Sequence, residues 1–91
     1  MYISTSKKNG TLYIGVTSDL HTRITQHKNK EFDGFTSEYN INILVYYEIY
    51  SNILDAIKRE KNIKEWRRSW KLNLIEKDNP QWKELPIPEF F

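Results

Sequence analysis

Arg23 and His27 stand four residues apart, so on a helix they share a face. An arginine there suits a phosphate, because its planar fork donates two hydrogen bonds and keeps its charge. Most pairs at this spacing are plain surface residues, so alone it is weak evidence, and His21 lies off that face and reads as surface. Glu60 is more informative by position. The apolar stripe Ile53, Ala56, Ile57, Ile63 passes through it, which aims a carboxylate inward. An inward carboxylate is costly unless it pairs with a cation, either a neighbouring Lys or Arg or a metal ion. If the partner is a buried basic side chain, Glu60→Gln is expected to cost roughly 3–5 kcal/mol. Tyr2 and Tyr13 fall on adjacent strands and read first as cross-strand packing. Tyr46, Tyr47, Tyr50, Trp66 and Trp70 read as core or its support, and Asn79 before Pro80 as a turn residue.

These side chains need elements to carry them. Residues 2–6 and 11–17 are rich in β-branched and aromatic residues and read as strands. Asn9-Gly10 between them is a strong hairpin signal, since both residues tolerate positive φ. On the second strand Leu12, Ile14 and Val16 share one face, and Tyr13 and Gly15 the other. Thr17-Ser18-Asp19 offers N-caps for a helix over 19–28, where Leu20 and Ile24 also share a face. Residues 29–40 read as a polar loop, and the apolar run 43–50 as a strand covered on both faces. Ser51 or Asn52 caps a second helix over about 52–66, broken at Trp66–Ser69. A third helix over about 69–77 carries Trp70, Leu74 and Ile75 and ends at Asn79-Pro80. The predicted fold is a single α/β (α+β) domain in the order β-β-α-β-α-α, with its core in residues 2–83 and an irregular proline-rich tail at 84–91.

Composition narrows the function classes. The chain has 91 residues, enough for one small domain with one core. It lacks cysteine and has two well-separated histidines, which excludes zinc fingers and disulfide frameworks. It has no Gly-rich phosphate loop and no defensible Ser-His-acid triad. No apolar run approaches a membrane span and no apolar block follows Lys7-Lys8, so the cytoplasm is the expected location. Fourteen Lys and Arg oppose twelve Asp and Glu, a modest net +2. Half of those cations fall within residues 58–71: Lys58, Arg59, Lys61, Lys64, Arg67, Arg68 and Lys71. They form either a solvated helix face or a phosphate-facing patch.

Taken in order, Tyr2, then Tyr13-Ile14-Gly15, Arg23, His27, Glu60 in the run Ala56–Lys61, and Asn79-Pro80-Gln81-Trp82 resemble the GIY-YIG nuclease family, most closely its small single-domain bacterial members. The resemblance covers roughly residues 2–83. Each motif is weak alone; the ordered set is specific. It departs from the pattern at the first motif, where Met1 replaces isoleucine, and at Val16, where some relatives carry lysine.

The resemblance implies a three-stranded antiparallel sheet flanked by helices, and a metal-dependent endonuclease that hydrolyses phosphodiester bonds in DNA. It implies that Tyr2 and Tyr13 belong to the two tyrosine motifs with Gly15 as bare backbone beside them. Arg23 would hold the scissile phosphate with His27 assisting, Glu60 would bind one Mg²⁺ or Mn²⁺, and Asn79 would support the site. Such an ion held by one carboxylate keeps most of its waters. A tyrosine is a poor base at its ordinary pKa of about 10 and would need help from a nearby charge. Lys58, Lys61, Lys64, Arg67 and Arg68, with Arg23, are the expected DNA contacts, giving weak, salt-sensitive binding. A protein partner supplying specificity is a further expectation. The alternative is a nucleic-acid-binding or partner-dependent module that keeps the fold without catalysis.

Overall fold

A computed structural model of the chain describes residues 1–19, 22–25 and 41–87. Leu20, His21, His27 and the expected loop 29–40 lie outside the described residues. The elements are β1 (Tyr2–Thr5), β2 (Leu12–Gly15), a helical stretch at 22–25, β3 (Ile43–Tyr47), α1 (Ile53–Lys64) and α2 (Arg68–Asp78). This is the expected α+β arrangement. The strands form one antiparallel sheet in the order β2-β1-β3, so the first strand is the central one.

The β1–β2 hairpin forms, but by a different turn from the two-residue Asn-Gly type. Pairing stops at Thr5 opposite Leu12, and the Gly10 N–H closes on the Lys7 carbonyl at 2.9 Å. Asn9 takes the left-handed conformation, at φ 58°; Gly10 does not. Glycine is needed at position 10 for room, because a Cβ there would lie 2.9 Å from the Lys7 carbonyl oxygen. The Thr5 hydroxyl lies within hydrogen-bond distance of the Lys7 and Thr11 carbonyls, at 2.8 and 3.0 Å, and ties the loop to the strand.

Alternation sends side chains to two faces. Ile3, Ile14 and Val45 meet Ile63 of α1, Ile75 of α2 and Trp82 in one cluster. Tyr2, Ile24 and Leu44 form a second cluster on the opposite face, flanked by Tyr13 and Tyr47. β3 is therefore covered on both sides, as its unbroken apolar run suggests. A bulge between β1 and β3 lets Ile3 pair with Tyr46 and Ser4 with Leu44, leaving Val45 as the extra residue. Val45 and Tyr46 consequently both lie on the helix side.

Asn52 is the α1 cap, its side chain accepting from the Leu54 N–H at 2.9 Å. The stripe of α1 is narrower than expected. Ala56 and Ile63 are buried and Ile57 half-buried, but Ile53 in the first turn is exposed. Tyr50, in the link between β3 and α1, and Trp70, in the first turn of α2, are expected in the core but are also exposed. The tail is irregular after α2, yet it is packed: the Leu85 N–H donates to the Leu44 carbonyl at 2.8 Å, and Leu85 and Ile87 lie against the tyrosine-side cluster.

Candidate active site

The two tyrosines are brought together by register. Tyr2 pairs with Gly15 across β1 and β2, and Tyr13 lies two residues back on the same face of β2. Their rings sit 6.0 Å apart, tilted by 42°, and their hydroxyl groups share a hydrogen bond. The opposing residue must be glycine. A Cβ at position 15 would come within 2.7 Å of both Tyr2 Cζ and Oη and 2.9 Å of Tyr13 Cε1. Gly15 thus serves by the absence of its side chain, giving the tyrosines a floor of backbone.

Arg23 reaches this face from the helical stretch at 22–25. Asp19 caps that stretch, accepting from the Thr22 N–H at 3.1 Å and the Thr22 hydroxyl at 2.7 Å. The Arg23 N–H bonds the Asp19 carbonyl, and Ile24 is buried beside Tyr2 and Leu44. Arg23 is close enough for its charge to act on the Tyr2 hydroxyl. Burial nevertheless dominates and, with Tyr13 beside it, pushes the Tyr2 hydroxyl well above the ordinary tyrosine range. Tyr2 therefore stays protonated at neutral pH. Tyr13 is less deeply buried and lines an open cleft of about 240 Å³ with Leu12, Ile14, Lys64 and Lys71.

That cleft runs beside the outer strand β2, where α1 packs. Glu60 is not among the residues lining it, but forms an i,i+4 ion pair at 2.5 Å with Lys64, which is. The Glu60 side chain is only 14% exposed, so the carboxylate does lean inward, but its partner Lys64 is 56% exposed. The pair is thus half in solvent, and the large penalty expected for stranding a buried cation does not apply. Among the described residues no group of three or more His, Cys, Asp or Glu is placed to hold a metal. A single hard carboxylate oxygen remains, a donor that fits an ion keeping most of its own waters.

The other expected contacts divide. Lys58 and Lys61 are exposed on α1. Arg68 is committed to the hairpin, donating to the carbonyls of Asn9 and Gly10 at 2.8 Å each. Arg67 lies over the Trp70 ring at 5.7 Å. Asn79 is buried with its amide committed: Nδ2 donates to the Val45 and Lys83 carbonyls at 3.2 and 2.8 Å, and Oδ1 accepts from the Lys83 N–H at 2.9 Å. It fastens the chain after α2 to β3, and in the same turn Trp82 adopts φ 56° to reach the core.

Sequence reasoning did not single out Glu48. Its carboxylate receives the Tyr46 and Tyr50 hydroxyls at 2.5 and 2.6 Å and the Arg59 guanidinium at 3.0–3.3 Å. Burial opposes its charge, but the hydrogen bonds from Arg59, Tyr46 and Tyr50 outweigh it and hold the carboxyl below its usual range. This accounts for Arg59, which is consequently not among the cations available to a phosphate. Only the bulge that turns Tyr46 to the helix side brings these groups together, so no sequence pattern marks the cluster.

No solved structure matches this chain. A UPF0213 protein of Staphylococcus saprophyticus is 38% identical over 68 residues, covering 75% of this chain and 83% of the relative. UPF0213 proteins of Staphylococcus haemolyticus and Staphylococcus aureus are 35% and 36% identical, with coverage of 76% and 74% of this chain and 84% and 82% of theirs. The model of the GIY-YIG catalytic domain matches residues 1–73, a span that holds both tyrosines, the glycine beneath them, Arg23 and Glu60. With that match joined to the sheet that sets Tyr2 against Tyr13, the chain belongs to the GIY-YIG family.

Proposed function

We propose that this protein is a divalent-metal-assisted endonuclease that hydrolyses phosphodiester bonds in DNA. The observation that carries the reading is the hydrogen-bonded tyrosine pair over the bare backbone of Gly15, with Arg23 within electrostatic reach. Hydrolysis needs an oriented water, charge compensation on the phosphate and help for the leaving oxygen. Arg23 meets the second need by its fork of donors on the non-bridging oxygens. We assign to Tyr13, which lines the cleft, the role of accepting the proton of an attacking water. Tyr2 remains protonated and positions Tyr13. Glu60 would hold the ion, with Lys64 released toward the substrate. A bound Mg²⁺ or Mn²⁺ would supply positive charge at the leaving oxygen. His27 assists from beyond the described residues, and Asn79 supports the site by anchoring the chain behind β3.

The test is cleavage of plasmid, branched and single-stranded DNA with Mg²⁺, with Mn²⁺ and with EDTA, by the wild type and by Glu60→Gln. Wild-type cleavage or nicking should need metal, and Glu60→Gln should abolish it. Its stability should change by no more than about 0.5 kcal/mol, because the lost ion pair is half exposed. Folded wild type without turnover on any substrate would leave the second reading, a non-catalytic nucleic-acid-binding module. The ion pair that occupies the Glu60 carboxylate favours that reading.

A further inference from the structure

The corner between α1 and α2 carries an aromatic step that the tyrosine site does not use. Trp66 and Trp70 meet edge to face with ring centroids 6.2 Å apart. Arg59 lies over Trp66 at 5.1 Å and Arg67 over Trp70 at 5.7 Å. Trp66 is half-buried and packs on the helix-side core, whereas Trp70 is 51% exposed. An exposed tryptophan in a domain this small leaves apolar area in water, so its occupant matters. The local charge selects one. Over residues 58–71 seven Lys or Arg oppose two Glu; Glu48 takes up Arg59 and Glu60 takes up Lys64, and the positive excess that is left suits a polyanion and disfavours a basic or plainly apolar partner. Arg67 is the N-cap of α2, and Lys71 in the first turns of that helix also lines the Tyr13 cleft. A strand leaving that cleft would meet Lys71, then Arg67 and the Trp70 ring.

We propose that Trp70 and Arg67 form a stacking platform for an unpaired nucleobase of single-stranded nucleic acid, beside the cleft rather than within it. A base stacks on an exposed indole without regard to its identity, and an adjacent arginine adds its planar face and its charge. Paired bases inside a duplex cannot offer a free face. The platform therefore favours substrates with an unpaired strand next to the cleavage position. The proposal rests on the nucleic-acid reading of the site, but not on catalysis.

The test is equilibrium binding in EDTA, so that no cleavage occurs, with three probes: oligothymidylate, an abasic phosphate chain of equal length, and blunt duplex. Wild type should bind oligothymidylate more tightly than the abasic chain, with quenching of tryptophan fluorescence. Trp70→Ala should weaken oligothymidylate binding about tenfold and abolish most of the quenching, while binding of the other two probes changes less than twofold. Trp70→Phe should recover most of the loss, and melting curves should confirm that both variants fold. Equal binding of oligothymidylate and abasic chain by wild type would overturn the proposal and leave Trp70 to a protein partner. So would a Trp70→Ala loss equal across all three probes. A protein that shows the expected pattern yet never cleaves would uphold this platform and refute only the nuclease reading.

Discussion

The two faces of the sheet are built on opposite rules. The helix face is apolar and closed: Ile3, Val45, Ile63 and Ile75 are each fully buried, and its polar groups at Glu48 are paired. The tyrosine face is also buried at its centre, but it is made of Tyr2, Tyr13 and Tyr47 around Ile24 and Leu44. Between them Ser4 is fully buried with its hydroxyl unpartnered. A face that stored only stability would exchange the Ser4 hydroxyl for an apolar group, since a buried polar group without a partner costs free energy. The difference separates the labour: one face holds the domain together, and the other holds polar groups in place at some expense to stability.

Substitutions can break that comparison, and they are ordered by their effect on stability. Ile63→Ala should cost about 3 kcal/mol, because the residue is fully buried between α1 and the sheet. Turnover per folded molecule should stay within about twofold of wild type at this shift in stability. Chemical denaturation with activity normalised to the folded fraction reads both, and lost turnover in folded Ile63→Ala would merge the two faces. Gly15→Ala should cost about 2 kcal/mol by overpacking against Tyr2. Unlike Ile63→Ala it should also remove cleavage in the protein that remains folded. Full activity there would show that the tyrosine pair has no part in catalysis.

Acid sharpens the contrast from the helix side. The Glu48 carboxyl titrates lower in the folded chain than in the unfolded one, so the unfolded state takes up the proton first. Its stabilisation is complete above the ordinary carboxylate pKa and is lost as pH falls through the lower folded value. Stability should therefore fall as pH drops through and below the ordinary carboxylate range, with a smaller change in Glu48→Gln. Equal acid profiles for the two proteins, followed by thermal melts, would remove Glu48 from the account.

Arg23→Lys is the smallest expected change in stability, under about 0.5 kcal/mol at a partly exposed site. Its turnover should nonetheless fall about a hundredfold, because lysine keeps the charge and loses the two-pronged hydrogen bond. Unchanged cleavage rates in this variant would place the phosphate clamp elsewhere.

Local order determined much of this. Period-two patterning marked the strands, Asn52 and Asp19 marked helix starts through side-chain capping, and Asn79-Pro80 marked the end of α2. Period and spacing alone read Tyr2 and Tyr13 as packing and Arg23 as surface; the ordered set of Tyr2, Tyr13, Arg23 and Glu60 stood out only through its resemblance to the GIY-YIG family. What the sequence left open depended on contacts between residues distant along the chain. The exposure of Trp70 and Ile53 could not be read from helical phase, since phase says which residues share a face and not where the sheet ends. The Glu48 cluster required a bulge that no residue type announces. The partner of Glu60 lay within its own helix, but whether that pair was buried or half in water was decided by where α1 meets β2. Side-chain chemistry and period are local quantities, whereas burial belongs to the assembled surfaces, and burial sets the energy of a charge.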